Sequence, residues 1–182
     1  PDSTRRIYLR GCYEPFAFLA DPAAPPDASA LLINEISPHL PVYLWGPGVR
    51  RALRAGQAGY QLFATAHARS VDEFVGSLAG PPLRVPLADI AALQIVAILD
   101  RPAGSERFRL SALCGLAPTP QGGLLRLPLA DDAALAAAAP LAGGAPPEAD
   151  AARCRRLLTE HPDRFRAPKP PRWPAERAGD LP

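Results

Sequence analysis

QLFATAHARSVDEFVGSL, from Gln61 to Leu78, joins a strand signal to a helix signal through a histidine. Gln61 to Ala66 is an apolar run of strand length, His67 follows it, and Ser70 opens a helical pattern. Ser70 and Glu73 have the S-x-x-E spacing of a capping box, in which each side chain satisfies a free backbone N–H at the helix start. Val71, Phe74, Val75 and Leu78 then recur at i, i+3, i+4 and i+7, which gives the helix one apolar face. The unit is strand, polar tip, helix. Ligands of open α/β sheets bind at the carboxyl ends of the strands, which is where His67 falls. Two readings of His67 stand on this stretch alone: a structural histidine closing a turn, and a ligand-facing group.

Upstream, ALLINEI (Ala30 to Ile36) is a continuous apolar run that takes in Asn34 and Glu35 near its end. Strands buried on both faces of a parallel sheet read this way, so the expectation is a central strand with Glu35 at its carboxyl tip. A solvated acid closing a core strand is the plainer reading of the same residue. A Pro- and Gly-rich loop, Ser37 to Gly48, leads to a short helix, Val49 to Ala55, that carries Arg50, Arg51 and Arg54. Such a cluster is either a solvated face or a contact for an anion or a neighbouring subunit. A further strand candidate spans Arg6 to Arg10. Strands alternating with helices in this way point to a parallel α/β sheet.

Downstream, Gly80 to Pro82 make a turn, and Pro86 can start a short helix, Leu87 to Leu93, where its missing N–H costs little. IVAIL, Ile95 to Leu99, reads as another continuous apolar strand. From Arg107 to Leu116 the pattern alternates, and PTPQGG followed by Leu124 to Leu129 completes a hairpin. The expected fold class is α/β, a mostly parallel sheet with an antiparallel hairpin at its edge. Residues 131–149 have the Ala, Pro and Gly composition of a linker, and 150–182 read as a short helix with a Pro-rich tail.

A chain of 182 residues accommodates one domain with a tail. No apolar run approaches the ~20 residues needed to cross a bilayer, so the chain reads as soluble. Cys12, Cys114 and Cys154 are odd in number and lack metal-ligand spacing, which suits a reducing compartment. The formal net charge of +2 is too small to indicate direct nucleic-acid binding. Positive charge is nearly all arginine, because Lys169 is the only lysine.

In order, LLINEI, the helix RRALRAGQAGY, QLFATAHARS, the acidic helix, GPPLRVPLADI and IVAIL resemble the carboxyl half of the RecA-like nucleotide-binding domain of type II and type IV secretion and pilus-assembly ATPases. In that family a Walker B strand ending in Gly-Glu precedes a helix ending near a Gly-His pair. A strand then leads to a Thr-x-His-Ala-x-Ser "His box", and a Pro-Pro segment follows. The matching residues here are Asn34-Glu35, Gly59-Tyr60, Thr65 to Ser70 and Pro81-Pro82. The resemblance covers roughly Ile7 to Leu99, with the later hairpin compatible, and makes residues 1–130 half of a nucleotide-binding domain.

The resemblance implies that Glu35 orients the water attacking the γ-phosphate and that His67 contacts or senses that phosphate. Both roles suit phosphoryl transfer, which is catalysed by positioning and by stabilising developing charge. It implies nucleotide contacts from Thr65, Ser70 and Arg54, the last into a neighbouring subunit. It further implies ATP and Mg2+ as cofactors, a hexameric homo-oligomer, and an inner-membrane secretion or pilus platform protein as partner. The location it implies is cytoplasmic, peripheral at the inner face of the membrane.

The chain also departs from the family. No Gly-rich GK[ST] loop occurs, and Lys169 lies in APKPP, so the element that cradles phosphates is missing. Arg10 and Gly11 stand where an acidic pair is usual, leaving only Glu14 of that box; Asn34 replaces a glycine, Ser37 an arginine and Tyr60 a histidine. One expectation is the carboxyl portion of a longer ATPase, favoured by the absent methionine and the abrupt start on a strand. The other is a divergent, non-catalytic interaction module, favoured by the lost acidic pair. On either, this chain alone is expected to be inactive as an ATPase. A hydrolase built on Cys12 or Ser70 has no base and orienting acid assigned beside either residue.

Overall fold

A computed structural model describes residues 4–129; the expected linker at 131–149 and the helix and tail at 150–182 lie outside them. The first three strands, β1 (Arg5–Tyr8), β2 (Ser29–Ile36) and β3 (Gln61–Ala66), form a parallel sheet in the order β1-β2-β3. β2 is central, as its continuous hydrophobicity predicts: Leu31 is fully buried, and Ala30, Ile33 and Ile36 are buried beside it. β1 starts and ends earlier than the expected Arg6 to Arg10, and its Leu9 N–H still donates to the Leu32 carbonyl at 3.0 Å.

The crossover from β2 to β3 is α1 (Pro47–Gln57), longer at both ends than the expected Val49 to Ala55. Proline fits the first helical turn, where no N–H is needed, and Gly46 at φ 66° turns the chain into it. Val49, Ala52, Leu53 and Ala55 are its buried residues. α2 (Val71–Ala79) follows β3 and buries Phe74, Val75 and Leu78, as the spacing predicts. Ser70 caps it, its hydroxyl oxygen accepting the Glu73 N–H at 3.1 Å. The return half of the expected capping box is shifted by one residue: the Glu73 carboxylate accepts the N–H of Arg69, at 2.8 Å, rather than that of Ser70. The helix expected over Leu87 to Leu93 forms as α3 (Leu87–Ile90) continued by a 3-10 turn, Ala91–Leu93.

The expectation for Ile95 to Leu99 needs correction. β4 (Ile95–Asp100), β5 (Arg109–Pro118) and β6 (Leu124–Pro128) form a separate antiparallel sheet in the order β4-β5-β6. The expected hairpin forms around the PTPQGG turn, with β5 starting and ending two residues later than Arg107 to Leu116 and its burial running from exposed to buried instead of alternating, but it joins β4 and not the edge of the parallel sheet. The burial of β4 alternates: Val96 and Ile98 are buried, Ile95 and Leu99 exposed. β3 is likewise not an interior strand, since five of its six residues are exposed. Both lie at the edge of their sheets with one strand partner, and the alternation along β4 marks one covered and one open face. A single apolar cluster containing Leu31, Leu53, Val75, Val96 and Leu116 nevertheless connects the two sheets and the helices. Among the described residues no helix is long and apolar enough to cross a membrane.

Candidate functional site

Glu35 is held at the end of β2 by the loop that follows it. The Leu44 N–H donates to the Glu35 carbonyl at 2.8 Å and the Ser37 N–H donates to the Leu44 carbonyl at 3.2 Å. Leu44 itself is fully buried, so the loop is anchored to the core. Its far side rests on Gly11, whose φ is 68°. A Cβ at Gly11 would lie 2.3 Å from the Pro41 carbonyl oxygen, the same oxygen that accepts the Cys12 N–H at 3.0 Å. Only a residue without a side chain permits that approach at that backbone angle.

His67 leaves the adjacent strand one residue beyond its end. Its Nε2 lies 3.5 Å from Glu35 Oε1, with the histidine side chain 80% exposed and the glutamate side chain 14% exposed. At that separation the two form an ion pair when the imidazole is protonated, and not a hydrogen bond. Glu35 Oε1 is accordingly a buried acceptor without a hydrogen-bond partner. A buried carboxylate oxygen left in this state is costly, so it favours any proton donor that can enter beside the histidine. The arrangement sets a largely buried carboxylate beside an exposed imidazole at the ends of adjacent strands.

The structure thus brings Glu35 and His67 together and gives the other expected site residues separate positions. The Thr65 hydroxyl donates to the Asn34 carbonyl and ties the end of β3 to the end of β2. Ser70 is occupied in capping α2. Arg54 turns toward α3, its Nε 3.5 Å from Asp89 Oδ2. The arginine-rich charge is used largely in such local pairs: Arg51 stacks 4.9 Å from the Phe16 ring centroid, Arg69 meets Glu73 at 3.3 Å, and Arg126 meets Asp72. Two positions aligned by the resemblance also serve the fold. Glu14 accepts the N–H groups of Arg10 and Phe16, at 2.7 and 2.9 Å, and the buried Tyr60 donates its hydroxyl to the Ala24 carbonyl at 2.9 Å.

One pair escaped the sequence reading. Ser37 Oγ lies 2.9 Å from His39 Nδ1 and accepts the His39 N–H at 3.2 Å. The signal was present as S-x-H just after a strand tip, but a serine closing onto the residue two positions on is a local turn as well as a catalytic spacing. Among the described residues no carboxylate hydrogen-bonds to His39, and no hydrogen bond joins Cys12 or Ser70 to a histidine.

Among the described residues no group of three or more His, Cys, Asp or Glu side chains could hold a metal ion. The sequence also has no Gly-rich lysine loop to cradle phosphates. The orphaned Glu35 oxygen suits a water proton, yet ATP and Mg2+ do not fit these residues alone. Compared with protein-family models and with curated proteins, the chain finds no match in either.

Proposed function

We propose that the chain is one part of a nucleotide-hydrolysing machine of the secretion and pilus-assembly class, to which it contributes Glu35 and His67. What carries this reading is the pair itself: a carboxylate and an imidazole 3.5 Å apart at the carboxyl ends of adjacent parallel strands, with the carboxylate oxygen buried and without a donor. In this reading Glu35 Oε1 holds a water by one of its protons and fixes its direction, while His67 Nε2–H meets anionic charge beside it. The parallel sheet β1-β2-β3, crossed by α1, supports a RecA-like core. The ligand class is a nucleoside triphosphate with Mg2+, and the groups that grip its phosphates come from outside these residues. A hexamer seated on an inner-membrane platform protein, at the cytoplasmic face, is the assembly this reading carries with it.

The test uses the complete gene product. Glu35→Gln should lower its ATP turnover roughly a hundredfold or more, because a positioned base contributes about that much. His67→Ala should lower turnover with little change in melting temperature, since the imidazole is mostly exposed. The 182-residue chain alone should not turn ATP over. Ordinary turnover by that chain, or an unchanged rate in Glu35→Gln, would sink the reading.

A second reading, a non-catalytic module that keeps the fold to dock onto a partner, is favoured by a specific observation. Thr65, Ser70 and Arg54 are each engaged by protein groups. Unchanged turnover and unchanged assembly in Glu35→Gln would support the module, whereas a dominant-negative Glu35→Gln would reject it.

A further inference from the structure

Glu35 and His67 lie at neighbouring strand ends, which brings them near one another but does not by itself put both side chains on one face. In the ladder between β2 and β3, Leu31 pairs with Leu62, Ile33 with Ala64 and Ile36 with Ala66. Between the last two pairs lie Asn34 and Glu35 on β2 and Thr65 alone on β3. Two residues opposite one make a β-bulge, which is rare between parallel strands.

Paired residues of a ladder share a face, and successive residues of a strand alternate between faces. Without the extra residue, Glu35 would stand opposite Ala66 on the face that carries Leu31 and Ile33, and His67, next after Ala66, would emerge on the other. The bulge shifts the alternation by one place. Ile36 then takes the face of Leu31 and Ile33, and all three are buried in one core cluster. Glu35 moves to the face on which His67 emerges, and the two side chains meet at 3.5 Å.

Two contacts hold the carbonyls of the bulged residues. The Leu44 N–H donates to the Glu35 carbonyl at 2.8 Å, and the Thr65 hydroxyl donates to the Asn34 carbonyl. The second comes from the one residue that the bulge faces. Among the described residues no other side chain hydrogen-bonds to the backbone of Asn34 or Glu35. Thr65 is exposed, so a replacement of the same shape leaves the core intact.

We propose that Thr65 is a positioning residue: its hydroxyl clamps the bulge at Asn34 and Glu35 and thereby sets the Glu35 carboxylate opposite the His67 imidazole. The clamp stands on the strand register and this hydrogen bond, while its consequence for catalysis rests on the hydrolytic reading of the pair given above. It differs from the nucleotide contact that the resemblance implies for Thr65, because the hydroxyl proton is already given to Asn34.

The first measurement uses the 182-residue chain, whose only histidines are His39, His67 and His161. Its histidine ring NMR signals are recorded with and without Glu35→Gln. That substitution should shift the His67 signals in the wild-type chain and in Thr65→Ser, which keeps the hydroxyl, and should leave them in place in Thr65→Val, which keeps the shape and loses the donor. Thr65→Ala serves if Thr65→Val fails to fold. An equal shift in the variant without the hydroxyl, or no shift in the wild-type chain, overturns the proposal. The second measurement is ATP turnover by the complete gene product. Thr65→Val should lower kcat by about tenfold and leave KM for ATP within about twofold, with Thr65→Ser restoring the rate. A raised KM at unchanged kcat would return Thr65 to the nucleotide and overturn the proposal. A His67 shift that depends on Thr65, together with unchanged turnover in Glu35→Gln, keeps the clamp and sinks the hydrolytic reading alone.

Discussion

ALLINEI and IVAIL look alike as sequences and end in opposite situations. In β2 the apolar run has a strand on either side, and Leu31, Ile33 and Ile36 are 0, 4 and 6% exposed. In β4 Val96 and Ile98 are buried, but Ile95 and Leu99 stand open on the other face of the strand, which nothing among the described residues covers. The two strand ends differ in the same sense. Near its end β2 carries Glu35, whose backbone carbonyl is held by the Leu44 N–H of the Ser37–Leu44 loop, and β4 closes on Asp100, an exposed acid paired with Arg109 at 3.0 Å. A continuous apolar run therefore reports what a strand is able to bury, and its neighbours decide how much of that ability is used.

The sharpest way to break that contrast is to truncate matching residues. Leu31→Ala should cost about 2–5 kcal/mol, since it empties a fully buried site, whereas Leu99→Ala should cost about 0.5 kcal/mol or less in the isolated chain. Chemical denaturation of both variants checks this, and equal losses would mean that the outer face of β4 is covered. Next in size is Gly11→Ala, expected to cost roughly 1–3 kcal/mol through the left-handed backbone and the 2.3 Å approach of its Cβ to Pro41. That loss should come with faster hydrogen exchange at the Leu44 N–H, because the loop that locks Glu35 rests on Gly11.

The contrast also explains what was legible in the sequence. Periodicity and capping chemistry are local, so α2, its Ser70 cap and the β5–β6 hairpin could be read directly. The meeting of Glu35 and His67 was legible at one remove, because two strand tips at successive positions of a parallel sheet bring their next residues together. The placement of β4 was not, because apolar composition does not encode which edge a strand joins or whether its partner runs parallel. Nor was the use of Tyr60 and Arg54, whose partners Ala24 and Asp89 are set by tertiary approach.

The smaller predictions concern α2, which carries the chain away from His67. Ser70→Ala removes the acceptor for the Glu73 N–H and should cost about 1 kcal/mol, measured by thermal unfolding. Glu73→Gln should cost less still, because the amide oxygen can accept the Arg69 N–H in place of the carboxylate. Its diagnostic is pH. The Arg69 backbone N–H and then the Arg69 side chain hold the Glu73 carboxyl below its ordinary value. A carboxyl lowered by folding contributes stability that is fully present above its unfolded pKa and is lost as pH falls through its folded pKa. The gap between the wild-type chain and Glu73→Gln should therefore be constant near neutrality and close in acid, as protonation makes Glu73 as neutral as the glutamine. Because the largest cause is a backbone hydrogen bond and the Arg69 side chain is 92% exposed, added salt should narrow the neutral-pH gap only slightly. A gap that persists unchanged below the carboxylate range would show that Glu73 acts through packing, and one that collapses in salt would transfer its role to the exposed ion pair.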